Sequence, residues 1–105
     1  MLNQVILVGR LTSDPEVEEL EDHKKVSKIT LAIQRPFKNI EGTYDTDFIT
    51  CSLWQGLALN LKEYCKKGSI IGVKGRIVTK QLQIYENKKI FYTEIIGENI
   101  TFISK

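Results

Sequence analysis

The sequence predicts an all-β chain with one helix: five strands close a small barrel, and the helix falls between the third and fourth strands. Three observations predict it. Apolar residues alternate along five separate segments, at the period of two that a strand imposes. Only residues 55–66 repeat their apolar positions at helical spacing. Gly72 and Gly75 break the side-chain rows of the fourth strand, as suits a strand that bends sharply to close a barrel.

Residues 2–11 read as the first strand. Val5, Leu7, Gly9 and Leu11 share one parity, and Leu2, Ile6 and Val8 share the other. Both faces are apolar, so one packs the core and the other is expected to be covered too, by another subunit. Ser13-Asp14-Pro15 signals a turn. The acidic run to Asp22 and then His23-Lys-Lys25 reads as a solvated loop or hairpin tip. In the second strand, 26–35, Ile29, Leu31 and Ile33 face inward, and Pro36 ends regular pairing. Residues 38–46, with Asn39, Gly42 and Asp45, read as a hairpin loop before a third strand over 47–54. On the helix, Leu57, Ala58, Leu61, Tyr64 and Cys65 form one stripe, Lys62, Lys66 and Lys67 suit its C-terminal end, and Gly68 suits its cap. The fourth strand runs from Ile70 to about Tyr85, with Ile71, Val73 and Ile77 facing in. Glu86-Asn-Lys-Lys89 is the expected tip of a long hairpin, and the fifth strand covers Ile90 to Ile103. This order describes an OB-fold barrel. An SH3-like barrel or a small sandwich competes, but neither explains a full helix at that place.

The 105 residues fit one domain, 1–105, with one core. Hydrophobic residues make up 42% and charged residues 27%, which is ordinary for a soluble globular chain. Net charge is only +2, so bulk charge does not announce a nucleic-acid partner. Its distribution matters more: acids gather over 16–22 and 41–47, and the balance after Trp54 is basic. Cys51 and Cys65 are the only cysteines and His23 the only histidine, so a zinc site lacks ligands at usable spacing and no metal is expected. Both thiols are expected to be buried. The N-terminus lacks the basic leader and long apolar run of a signal peptide, and no stretch reaches membrane-spanning length, so no membrane association and a cytoplasmic location are expected.

The third strand carries the most telling pattern. It places Ile49, Cys51 and Leu53 on an apolar face and Phe48, Thr50, Ser52 and Trp54 on the other. An outward strand surface carrying aromatics among hydroxyls is what a base-stacking platform needs. Around it stand cations suited to phosphates. Lys74, Arg76 and Lys80 share the parity opposite the core, Arg35 and Lys38 flank Phe37, and Lys88 and Lys89 crown the last hairpin. A solvated face is the plainer role for each lysine.

The opening Leu2-Asn3-x-Val5-x-Leu7-Val8-Gly9-x-Leu11 with Asp14-Pro15-Glu16 resembles the first strand and turn of bacterial single-stranded DNA-binding proteins, the SSB family. Ile29-Thr-Leu-Ala32, Phe48-Ile49-x-Cys51-x-x-Trp54, Lys67-Gly68-Ser69, Gly75-Arg76 and Thr93-Glu94 continue the likeness over essentially the whole chain. The resemblance implies an OB fold and sequence-tolerant binding of single-stranded DNA. It further implies a homo-oligomer, usually a tetramer, located with the nucleoid, with no cofactor and no catalysis. Its expected role is to protect and organise DNA exposed in replication, recombination and repair. Carried over residue by residue, it puts stacking positions at Phe37, Phe48 and Trp54. Phe91 resembles an aromatic found where the last hairpin returns. Phe91 and Tyr92 alternate, so only one of them can face the DNA.

The chain also departs from the family. Leu82 stands where many members carry an aromatic, so one platform is missing or Tyr85 replaces it. Glu18-Glu19 stand where the family often has Arg-Tyr, which puts DNA binding there in doubt. The familiar flexible tail with an acidic tip has no counterpart after Thr101-Phe-Ile-Ser-Lys105, so tail-mediated protein partners are not expected of this chain. It reads as a binding core cut from a longer protein or as a short form of the accessory or mobile-element kind. Rival readings are a protein–protein adaptor of the primosomal accessory type and an RNA-binding OB module. A nuclease using Asp45 and Asp47 is a further rival, but no third ligand or base is spaced to complete its site.

Overall fold

A computed structural model describes residues 1–104. Its strands are β1 (Val5–Leu11), β2 (Glu18–Glu19), β3 (Lys25–Lys38), β4 (Tyr44–Trp54), β5 (Ile70–Tyr85) and β6 (Lys88–Ser104), and its helix α1 (Gly56–Tyr64) lies between β4 and β5. Hydrogen-bonded neighbours run β1-β5-β6-β4-β3-β2, and a further β1–β3 pairing closes the ring. That ring is the OB-type barrel the alternation predicts. Closure is short, through Arg10↔Ala32 and Leu11↔Leu31. It needs close approach at Gly9, where a Cβ would meet Ile33 Cγ1 at 2.8 Å and the Ala32 carbonyl oxygen at 3.0 Å. β4 and β6 pair in parallel, Cys51↔Ile95 and Ser52↔Ile96.

The inward residues of β1, β3, β4 and β5 meet in one core of Leu11, Ile29, Leu31, Cys51, Leu53, Ile71 and Val73, and α1 caps it with Ala58 and Leu61. The helix is shorter than its apolar stripe suggests. It ends at Tyr64, whose ring stays half-exposed and packs edge-on against Phe102, 5.9 Å between centroids. Cys65, in extended conformation, is the C-cap. Gly68, at φ 91°, belongs to the next turn, where its N–H donates to the Leu11 carbonyl. Arg10 Nη1 donates to the Gly68 carbonyl at 2.8 Å, and the Lys67 N–H donates to Asp14 Oδ1 at 2.7 Å. The Lys66–Ser69 turn thus ties the end of the helix to the end of β1.

Other expectations need correcting. The first strand begins at Val5, and Leu2 is fully exposed. Within this chain Ile6 and Val8 are uncovered, at 69% and 52% exposure. The acidic loop contains the short β2, which pairs Glu18↔Val26 and Glu19↔Lys25. Pro36 interrupts pairing without ending the strand: Arg35, Pro36 and Phe37 bulge out between Gln34↔Thr46 and Lys38↔Tyr44. The β3–β4 loop is therefore only 39–43, built on Asn39, whose Oδ1 accepts the N–H groups of Glu41 and Thr43. Ile77, expected in the core, is exposed. It sits where the β5–β6 hairpin leaves the barrel, its backbone held by both polar atoms of the Asn3 side chain at 2.7 and 2.9 Å. Lys88 and Lys89 lie on β6, paired with Tyr85 and Gln83, so the tip is only Glu86-Asn87. Cys51 is buried, but Cys65 is only half-buried. Among the described residues no helix is long and apolar enough to cross a membrane.

Candidate nucleic-acid interface

Register decides which side chains share a surface. On the side of β3 and β4 opposite the Cys51 row, Ala32 pairs with Phe48, Thr30 with Thr50, Lys28 with Ser52 and Val26 with Trp54. Ser52, expected to face outward, is fully buried there, and Val26 is buried as well. The two threonine hydroxyls hydrogen-bond at 3.3 Å. Phe48 is 67% exposed, because its cross-strand neighbour is only an alanine. Trp54 is half-buried at the base of the strand, just before Gln55 enters α1 at φ 55°. Phe37 projects from the β3 bulge at 81% exposure. Nearby, Lys38 Nζ lies 5.9 Å over the Tyr44 ring. Phe37 and Tyr44 are therefore neighbours of one hairpin end. Tyr44 was missed from sequence because residues 38–46 read as loop.

The same surface continues onto β6 and β5. The Ser52 hydroxyl donates to Glu94 Oε1, and Glu94 Oε2 lies 2.8 Å from Lys80 Nζ. By alternation Tyr92, two residues from Glu94, shares this face and pairs with Lys80. Phe91 pairs with Gln81 on the opposite face of the hairpin. Arg76 pairs with Ile96 and reaches Glu98 Oε2 at 3.6 Å. Glu98 is the extra residue of the bulge between Lys74↔Asn99 and Gly75↔Gly97. Lys88, Lys89, Tyr85 and Leu82 are all exposed on the projecting hairpin. Glu18 and Glu19, on the edge of β3, are exposed as well.

Arg35 lies apart from Phe48. It follows the parity of Ile33 and Asp47, on the other side of the β3–β4 hairpin. Asp47 accepts hydrogen bonds from its Nε, shared between Oδ2 at 3.1 Å and Oδ1 at 3.3 Å, and from its Nη2 to Oδ1 at 2.9 Å, and Asp45 Oδ2 is 3.8 Å from Nη1. The hydrogen bond and charge of Arg35 hold the Asp47 carboxyl below its usual range. The two aspartates that a nuclease reading would pair as metal ligands thus both serve one arginine. For Glu94 burial pushes the carboxyl up, but hydrogen bonds from Lys80 and Ser52, with the charges of Lys80 and Lys28, outweigh it and the net shift is downward. Burial pushes the Cys51 thiol up to about 11, which fits a core side chain and not a reactive one.

A closed OB-type barrel with aromatics and cations on one outward face defines an oligonucleotide-binding class of protein. Residues 2–103 match the profile of the single-strand binding protein family. The chain is 45% identical over 103 residues to a single-stranded DNA-binding protein of Halalkalibacterium halodurans, covering 98% of this chain and 61% of that one. It is 43% identical to single-stranded DNA-binding protein 3 of Listeria innocua, covering 98% and 64%. It is 41% identical to single-stranded DNA-binding protein B of Bacillus subtilis, covering 98% and 91%. The chain belongs to the single-strand binding protein family. It spans less than two thirds of the length of the first two relatives and nearly all of the third.

Proposed function

We propose that this protein binds single-stranded DNA with little sequence preference, without catalysis or cofactor, and protects and organises DNA exposed in replication, recombination and repair in the cytoplasm. One observation carries the reading: one side of β4 presents the exposed Phe48 and Thr50 and the half-buried Trp54, with Lys80 alongside through Glu94 and the buried Ser52. Bases stack on Trp54, Phe48 and Phe37, and every base offers a π-face, so recognition tolerates sequence. Arg76, Lys80 and the hairpin lysines Lys88 and Lys89 hold the phosphates, with Lys38 beside Phe37. Arg35, Tyr85 and Phe91 meet the strand where it passes round the far sides of the two hairpins. The working form is a homo-oligomer, a tetramer by resemblance, joined through the uncovered side of β1.

Trp54 is the only tryptophan, so its fluorescence reports on the platform itself. Titration with oligo-dT is expected to quench it strongly, duplex DNA to quench it little, and rising salt to weaken binding. Absence of quenching, with no binding by a second method, overturns the reading and favours a protein adaptor.

A further inference from the structure

Two of the cations beside the stacking face are already partnered by carboxylates. Lys80 has Glu94 at 2.8 Å and Arg76 has Glu98 at 3.6 Å. The two carboxylates differ in freedom. The Glu98 side chain is 54% exposed and can swing into water. The Glu94 side chain is only 10% exposed, and Ser52, itself fully buried, donates to its other oxygen. Lys28 stands across the β3–β4 pair from Ser52, and its charge also bears on Glu94. Glu94 is thus a fixed negative charge beneath the middle of a face otherwise suited to phosphates.

Resting on the reading that this face binds single-stranded DNA, we propose that Glu94 is a built-in counter-ion that moderates the affinity. A phosphate reaching Lys80 must share the ammonium with Glu94 or displace it. If Glu94 is displaced, its charge remains a few ångströms from the phosphate and repels it. The stranded carboxylate also takes up a cation from solution, which opposes the counterion release that drives binding. Affinity is then lower, and its dependence on salt shallower, than the number of basic side chains implies. Such moderation suits a protein that must yield its strand to the next user.

The test is Glu94→Gln, which keeps an oxygen to accept from Ser52 but removes the charge. Binding of labelled oligo-dT is followed by anisotropy across a salt series, with Glu98→Gln as a second variant at an exposed site. Glu63→Gln on α1, exposed and outside these pairs, removes the same net charge elsewhere. Glu94→Gln is expected to tighten binding about threefold to tenfold at low salt. It should also steepen the salt slope by about 0.7, the equivalent of one freed cation. Glu98→Gln should tighten binding less, and Glu63→Gln should change it little. Weaker or unchanged binding by a folded Glu94→Gln protein, or equal tightening by Glu63→Gln, overturns the inference alone. If Glu94→Gln does not fold, Lys80→Gln is read instead: a salt slope shallower by well under about 0.7 is expected, because Glu94 already offsets that cation, and a loss of about 0.7 or more overturns the inference. No binding of oligo-dT by the unaltered protein overturns the functional reading together with it.

Discussion

Phe48 and Trp54 stand on one face of one strand, but they are tied into the molecule differently. Phe48 is 67% exposed against a cross-strand alanine, so its ring contributes little to folding. Trp54 is half-buried opposite Val26, so part of its ring packs and part is available to a base. Stacking contributes about 1–3 kcal/mol per base. Trp54→Ala is therefore expected to weaken oligo-dT binding by about tenfold or more while leaving the oligomer intact. Phe48→Ala should lose a similar factor with stability changed by no more than about 0.5 kcal/mol. Titration and urea unfolding of both variants check this, and an unchanged affinity removes that residue from the site.

At the scale of elements, the barrel depends on how β5 and β6 cross. Gly75 pairs with Gly97 beside the β6 bulge, and a Cβ on Gly75 would collide with the Ile96 carbonyl, which is backbone and cannot turn aside. Gly75→Ala is expected to destabilise the fold by about 1–3 kcal/mol or more, read as a lower urea midpoint. A midpoint within error of the unaltered protein would mean that the strands can part there at no cost. The need for Gly75 was legible in the sequence, as were the inward rows Ile29-Leu31 and Ile71-Val73, because core strands must alternate. Gly97 was not singled out, and Gly72, expected to act with Gly75, has room for a Cβ. The hairpins were less legible. Beyond Ile77 the β5–β6 ribbon has no core to face, so its side chains carry no inside–outside pattern, and Ile77 itself looks like a core residue until the ribbon leaves the barrel. Pro36 reads as a strand end because the resumption at Lys38↔Tyr44 depends on the partner strand. The stacking candidates on β4 could be picked out by parity alone. The ion pairs could not: Lys80 and Glu94, or Arg35 and Asp47, are joined by cross-strand register and not by any local spacing.

At the scale of the whole molecule, one surface remains unexplained by the single chain. β1 pairs with β5 from Val5 to Arg10, but reaches β3 only at Arg10 and Leu11, so most of its other edge has no strand neighbour. On its outward side Ile6 and Val8 lie beside Gly72, Thr101 and a half-exposed Ile103, in a shallow apolar trough. An open edge next to exposed β-branched side chains invites another strand, and a second copy of β1 would satisfy both needs at once. Burying these side chains would each be favourable by about 1.5–3 kcal/mol. Ile6→Glu with Val8→Glu places like charges at that contact, so the mass measured by light scattering is expected to fall from oligomer to monomer. The substitutions leave Phe37, Phe48 and Trp54 on β3 and β4 unaltered, so each monomer should still bind short oligo-dT. Long strands should bind much more weakly, because linked sites no longer raise one another's effective concentration. A variant that keeps the unaltered mass would place the subunit contact on another surface. A monomer that also loses short oligo-dT would mean that β1 supports the binding face and not only the assembly.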